Sequence, residues 1–409
     1  MNRVVVTGLG PVTPVGVGVD AFWDALVAGR SGIDRIQRFD PSELPVRIAG
    51  EIRDFSPEAW MTPKEVKRTD RAVHFAIAAA KLAWTDAGEP SVDPARTGVM
   101  FSTGIGGLES LLKQHLVPLE KGPDRVSPFM VQMLMPNAAA GHVAMAFGFT
   151  GPNACITTAC AAGSHAVGEA FRLIKYGFAD VCVAGGTEAS ILPLTVAGFA
   201  QMQALTRNPD PATASRPFDK ERDGFVLSEG AGALVLEEAG RATARGARIY
   251  AEVCGYGASA DAHHITAPEP EGLGAIQALQ AALEEAEESP DAIDYINAHG
   301  TSTPLNDAAE TRAIKKALGD QAYRTPVSST KSMTGHMLGA AGAVESAVAA
   351  MAIHSSVMPP TINYRTPDEE CDLDYVPNEA RKGEVRLALS NAFGFGGHNA
   401  VVALRRFEG

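Results

Sequence analysis

Short apolar runs alternate along the chain with alanine-rich stretches of mixed polarity. Runs at 3–6, 99–102, 181–184, 233–236, 249–253, 293–296, 387–389 and 401–404 concentrate valine, isoleucine and leucine over a few residues and stop at glycine or polar positions. They predict buried strands. Between them, 72–87, 164–176, 273–287 and 342–354 predict helices; in the second, Val167, Phe171 and Ile174 fall four and three apart on one face. Strands alternating with buried helices imply α/β layers with parallel strands.

An internal echo divides the chain. "RVVVTGLGPVTPVG" near the start matches "RIYAEVCGYGASAD" at 248–261, each read as a strand followed by a glycine-rich turn. "CAAGSHAVGEAFRLI" matches "GHMLGAAGAVESAVAAM" at 335–351, each a small-residue helix start followed by a buried helix. Two related halves follow, 1–247 and 248–409, in which Cys160 and His336 are expected at equivalent helix starts.

Composition narrows the function. The chain has 409 residues, 45% hydrophobic and 20% charged, an ordinary globular balance. No apolar run approaches the roughly 18 residues of a membrane span, and "MNRVVVTGLG" reads as strand and turn rather than a signal peptide. Five scattered cysteines suggest a reduced, cytoplasmic enzyme. A net charge of −13 argues against a nucleic-acid partner, which wants a basic surface.

Cys160 is the first candidate for chemistry. In "TTACAAGS" it sits among small residues where a loop becomes a helix. Free N–H groups at a helix start favour an anion, which predicts a lowered thiol pKa, and the small neighbours leave room for an acyl group on sulfur. Cys155, Cys182 and Cys254 fit the role of small core hydrophobes. His299 in "NAHGTSTPLND" follows a strand, and Lys331 and His336 lie in "STKSMTGHMLGAAG" before a helix, both crevice positions in an α/β fold. "SNAFGFGGHNA" at 390–400 is glycine-dense and suits an oxyanion hole of backbone N–H groups. "GIGGL" at 104–108 does not complete a dinucleotide fingerprint, and "DAHH" at 261–264 lacks distant metal-ligand partners. His74, His115, His142, His165 and His354 lie near helical stretches and read as structural or solvated.

Together these stretches resemble the β-ketoacyl-acyl-carrier-protein synthases, most closely type II, over essentially the whole chain, from "VVVTGLGPVTPVG" through "RPFDKERDGFVLSEGAGALVLE" to "GFGGHNAVVAL". The resemblance implies a thiolase-like five-layered α-β-α-β-α fold from two duplicated halves. It implies Cys160 as acyl-accepting nucleophile, His299 and His336 as the decarboxylating pair, Lys331 as their organiser and Glu345 as a buried carboxylate beside it. Phe395 matches a gate residue whose N–H joins that of Cys160 in the oxyanion hole. Thr301 and Thr303 match residues holding the phosphopantetheine arm, and Leu111, Met130 and His264 are assigned to the substrate path. Asn297, Glu310, Glu345, Ser390 and Asn391 resemble the surroundings of a monovalent cation in some members. No other cofactor is implied, because phosphopantetheine arrives on the substrate protein.

The partners so implied are acyl- and malonyl-loaded acyl carrier protein and a second copy of the chain, with "SPFM" at 127–130 contributing to the partner's acyl tunnel. Lys64, Lys67, Arg68 and Arg71 are spaced to share one helical face, a basic docking patch for the acidic carrier, with Arg207 as a second contact. Met130 stands where the family commonly has an aromatic, and His398 where many members have threonine. The expected reaction is a decarboxylative Claisen condensation extending a fatty acyl chain by two carbons. The alternatives are a polyketide ketosynthase and a degradative thiolase; the latter needs a second cysteine in the glycine loop, which has none.

Overall fold

The computed structural model describes residues 1–409, and ten strands follow one another in a single hydrogen-bonded path. The first half supplies β1 (Val4–Thr13), β2 (Thr97–Ser102), β3 (Asn153–Ala154), β4 (Val181–Glu188) and β5 (Gly230–Glu238). The second supplies β6 (Ala251–Ala260), β7 (Tyr295–Asn297), β8 (Val327–Ser328), β9 (Leu387–Gly394) and β10 (His398–Arg405). Their spatial order is β3-β2-β4-β5-β1-β6-β10-β9-β7-β8, so each half repeats the same succession outward from the β1–β6 seam. Directions repeat too. β2 is parallel to β3 and β4, β7 is parallel to β8 and β9, and β5 and β10 are antiparallel to both neighbours. The sheet is therefore mixed rather than parallel throughout, and the duplication is real. The expected division at 247/248 falls between the helix Ala239–Ala244 and β6.

Six helices complete the layers: α1 (Arg71–Asp86), α2 (Ala138–Phe147), α3 (Ala162–Lys175), α4 (Leu273–Ala286), α5 (Pro304–Leu318) and α6 (Ala341–Ser355). α3 and α6 pack on each other and on strands of both halves, while α1 and α2 cover the outer face of the first half and α4 and α5 that of the second. Five layers result, α-β-α-β-α. Strand residues obey the period of two that this requires. Val181 and Val183 face the outer helices while Cys182 and Ala184 face the central core; Val401 and Ala403 face outward while Val402 and Leu404 face the centre. α6 is buried on all sides up to its last turn, as its mostly apolar sequence demands, and Glu345 is carried into the interior with it. The stretch Leu338–Ser355 is apolar enough to cross a membrane but is 89% buried within the fold.

The glycine-rich segments after the two echoed strands are not turns. β1 and β6 run straight through them. A Cβ at Gly10 would stand 2.0 Å from the carbonyl oxygen of Ala79 in α1, and one at Gly257 would stand 1.9 Å from that of Ala278 in α4. In both halves glycine lets an outer helix press against the strand, the close approach for which a strand gives up a side chain.

Candidate active site

Cys160 sits in a single 3-10 turn, Ala159–Ala161, that leads into α3. Ala159 has φ 50°, a left-handed conformation that costs energy for a residue with a Cβ and recurs where function demands it. The same device stands in the second half: Leu338–Ala340 leads into α6, and Leu338 has φ 46°. The counterpart of Cys160 is thus Gly339, not His336 as the sequence echo suggests. His336 lies three residues upstream, pinned by its own backbone: its N–H donates to Val226 at 2.8 Å and its carbonyl accepts from Ser228 at 3.0 Å.

The Cys160 thiol is 6% exposed and faces the backbone N–H groups of Phe395 and of Cys160 itself. Gly394, at the end of β9, keeps this spot open, because a Cβ there would lie 2.8 Å from the carbonyl of Thr158 and 3.2 Å from the Cys160 nitrogen. Two convergent N–H groups and a vacant volume make an oxyanion hole. Burial pushes the thiol pKa up to about 11, against the opposing pull of the Lys331 charge and the two N–H groups. The expected lowering fails on magnitude. A helix start supplies about 0.3–1 kcal/mol, less than the ~1.4 kcal/mol of a single pKa unit, and desolvation outweighs it.

His299 and His336 line the same cavity as Cys160, their ring centroids 5.4 Å apart and their planes at 83°. Each is 2% exposed. Burial first, then the Lys331 charge, and for His299 the neighbouring His336 as well, hold both imidazoles well below the ordinary histidine range. Both are therefore neutral near pH 7, and each carries one N–H. The Lys331 ammonium donates to the His299 carbonyl at 2.7 Å, stands 3.5 Å from His299 Nδ1 and pairs with Glu345. An ammonium beside Nδ1 makes that nitrogen the acceptor and leaves the proton on Nε2. Phe225, unremarked in the sequence, presses edge-on against His336 at 5.2 Å.

Beneath the histidines, Glu310 on α5 accepts from the N–H groups of His299 and Gly300, both at 2.8 Å, and from Asn391 Nδ2 at 3.1 Å. Burial raises both Glu310 and Glu345 to about 7. Asn297 and Ser390 face each other across β7 and β9. In this cluster Asn297 Oδ1, Glu345 Oε2, Ser390 Oγ and Asn391 Oδ1 are buried without a hydrogen-bond partner. Buried polar atoms are ordinarily paired, so a concentration of unpaired oxygens fits a hard cation.

The cavity encloses about 760 Å³. Thr301 and Thr303 line it, their hydroxyls 2.9 Å apart, together with Phe395. Leu111, Met130 and His264 do not line it. Leu111 is half-buried in the helix Leu108–Lys121, and Met130 opens the helix Met130–Leu134. His264 is exposed, and its Nδ1 accepts from the N–H groups of Thr266 and Ala267 at 3.1 Å each, fixing a loop whose next residues reach the cavity. Sequence reasoning missed Ile105, Phe199 and Leu338, which form apolar wall near the thiol. Ile105 lies inside the "GIGGL" run, where an apolar residue between glycines carries no motif of its own.

The basic residues do not share one helical face. Helix Pro63–Val66, boxed by Thr62 and Glu65, ends at Lys67, and Asp70 caps a new helix, α1. Lys64 and Lys67 are exposed. Arg68 lies over the Phe129 ring at 4.4 Å. Arg71 turns inward to the buried Glu229 at 2.7 Å and is committed to that ion pair rather than to a docking surface. Arg207 is exposed, its N–H bound to Asp223, a residue of the cavity lining.

Two family models match the chain, the β-ketoacyl synthase N-terminal domain over residues 1–242 and the β-ketoacyl synthase C-terminal domain over 250–365. The chain is 53% identical over 412 aligned residues to a 3-oxoacyl-[acyl-carrier-protein] synthase 2 of Synechocystis sp., covering 100% of this chain and 99% of that protein. It is 49% identical over 408 residues to the protein of the same name from Coxiella burnetii, covering 99% of each. Among solved structures, a β-ketoacyl synthase of Burkholderia phymatum superposes with a TM-score of 0.92 at 37% identity, and a type II polyketide ketosynthase in complex with its acyl-carrier protein with 0.92 at 36%, each covering 100% of both chains.

Proposed function

The chain belongs to the β-ketoacyl synthase family, and on that premise we propose how its residues lengthen an acyl chain by two carbons at the expense of malonyl-acyl carrier protein. The observation that carries the reading is the meeting, in one cavity, of a buried thiol, two convergent backbone N–H groups and two neutral histidines. Cys160 sulfur attacks the acyl thioester and the carrier thiol leaves. The transient oxyanion is held by the N–H groups of Cys160 and Phe395, a pair in which one donor is commonly worth about 2.7–4 kcal/mol. Because the thiol rests protonated, its proton must depart as the S–C bond forms, and the neutral imidazole of His336 is the available base, the lone pair of His299 being turned to Lys331.

Malonyl thioester then takes the carrier thiol's place. Its carboxylate leaves as CO2, and the electron pair of the broken C–C bond spreads onto the thioester oxygen. His299, through Nε2–H, and His336 donate to that oxygen. The same pair then forms the new C–C bond to the acyl carbon on Cys160, releasing the sulfur. Lys331 holds His299 in its tautomer and, with burial, keeps both imidazoles neutral so that each retains a donor and an acceptor.

The oxygens of Asn297, Glu310, Glu345, Ser390 and Asn391 fit a monovalent cation, which would supply positive charge against the buried carboxylates under the His299 loop. A rise in Tm in potassium chloride over choline chloride at equal ionic strength tests for it. Carrier protein docks on the exposed Lys64, Lys67 and Arg68, with Arg207, next to the lining residue Asp223, as a second contact. A homodimer forms along β3, whose residues lie exposed at the end of the sheet with Val131, Met135 and Met145 exposed in the preceding segment. Leu111, Met130 and the 127–130 segment then meet the partner's acyl chain. Five free cysteines suit a reducing, cytoplasmic compartment. The fatty-acid substrate is favoured over a polyketide one by the higher identity to the synthases named above.

Cys160→Ala separates the two half-reactions. It should release CO2 from malonyl thioester, since the histidines remain, while forming no 3-oxoacyl product. Loss of both activities together would contradict the assignment.

A further inference from the structure

Glu188 ends β4 fully buried, beside the site but outside the chemistry just described. The duplicated halves say what it replaces. β4 pairs with β5 ending Glu188 opposite Gly230, as β9 pairs with β10 ending Gly394 opposite His398. Glu188 is therefore the counterpart of Gly394, as Gly339 is the counterpart of Cys160. In the second half's site Gly394 leaves a vacancy next to the Cys160 N–H, 3.2 Å from where its Cβ would be. In the copy of that site the vacancy is filled: Glu188 Oε2 accepts from the Gly339 N–H at 3.1 Å and the Gly104 N–H at 2.8 Å, and Oε1 accepts from the Thr103 hydroxyl at 3.1 Å.

We propose that Glu188 is a positioning residue for the condensation, its carboxylate plugging the degenerate second copy of the oxyanion hole and thereby fixing the wall of the acyl cavity that faces Cys160. The carboxylate ties together two segments that no backbone hydrogen bond between them joins. One is the Thr103–Ile105 loop after β2, and the other is the Leu338–Ala340 turn before α6. Gly104, Ile105 and Leu338 all line the cavity with Cys160. His336 stands apart from this clamp, because its peptide is held by Val226 and Ser228 rather than by Gly339. Loosening the clamp thus disturbs the wall against which an acyl chain is seated and leaves the decarboxylating group where it was.

Glu188→Gln has the same shape, and its amide oxygen can still accept from the Gly339 and Gly104 N–H groups. Its N–H₂, however, meets the Thr103 hydroxyl, which already takes the Gly106 N–H and must reverse to accept, so the tie to the loop after β2 is loosened. The inference rests on Cys160 being the acylated residue, which the wild-type protein reports separately. Acylation by acyl-carrier protein is followed by intact mass, decarboxylation by CO2 release from malonyl thioester without primer, and folding by circular dichroism and Tm. The expected result for a folded Glu188→Gln is acylation slowed several-fold with CO2 release equal to wild type. Thr103→Val, which removes one tie, should show the same split at a few-fold and decides the matter if Glu188→Gln does not fold. Equal losses in both half-reactions, or none in either, with wild-type Cys160 still acylated, would overturn the role of Glu188 and leave that of Cys160 standing.

Discussion

Gly394→Ala tests the oxyanion hole with a single methyl group. The added Cβ would lie 2.8 Å from the Thr158 carbonyl, 3.1 Å from the Ala161 nitrogen and 3.2 Å from the Cys160 nitrogen. Ordinary carbon contacts begin near ~3.5 Å, so the nearest atom is about 0.7 Å too close, and it is backbone that has no rotamer to escape into. Either the 158–161 turn or the strand end carrying Phe395 must retreat by several tenths of an ångström. The two N–H groups then no longer converge, a displacement of the size that catalytic constellations do not tolerate. Loss of one oxyanion donor costs about 10²–10³ in rate, and Cys160 acylation should fall by about that factor. The overpacking itself should cost ~1–3 kcal/mol of stability, leaving a folded protein that still binds acyl-carrier protein, since the docking residues are untouched. Rapid-quench mass spectrometry of the acyl-enzyme gives the rate, and Tm reports the fold. Acylation within threefold of wild type would refute the reasoning, because the methyl group would then have found room the structure does not contain.

Histidine protonation sets a second test. With His299 and His336 held well below the ordinary range by burial and by Lys331, CO2 release by Cys160→Ala should be flat as pH falls from 7.5 to about 6.5, its acid limb lying lower; an acid limb centred at or above that value contradicts the electrostatics. On these two residues the unfolded chain takes up protons that the folded chain refuses, a loss of stability below about pH 6.5, while Glu310 and Glu345, raised to about 7, act in the opposite sense. His336→Asn should therefore lose less Tm than wild type as pH drops below about 6.5, and an identical slope would contradict the shift. Arg71→Ala should lower stability by about 3 kcal/mol, because it removes the close guanidinium of the buried Glu229 carboxylate and leaves Arg38 4.0 Å away. Reversing Lys67 and Arg68 to Glu should instead raise KM for acyl-carrier protein with little change in Tm; the opposite pattern would exchange their roles.

The legible parts of this fold were those written locally. α1, α3, α4 and α6 begin and end within two residues of the periodicity that predicts them. α5 was not predicted, because Asp307, Glu310 and Thr311 occupy its buried face and break the apolar stripe. Those same buried polar groups hold the His299 loop, so a functional site hid the helix that carries it. Cys160, His299, Lys331 and His336 were found from their contexts, and the structure gathers them. The rise of the Cys160 pKa is not legible locally because it comes from burial, in an apolar cluster whose other members include Phe225 and Leu338, both far off in sequence. Arg71 was assigned to the surface because its partner Glu229 lies 158 residues away. Glu188 gave no signal at all; its meaning comes only from superimposing one half of the chain on the other.

The central claim is that Cys160 carries the growing chain. Incubating the protein with acyl-carrier protein, trapping at low pH and mapping the adduct by peptide mass spectrometry tests it directly. The account predicts one acyl group per chain on the peptide containing Cys160 and none in Cys160→Ala. An acyl group on any other residue, or one that persists in that variant, would contradict it.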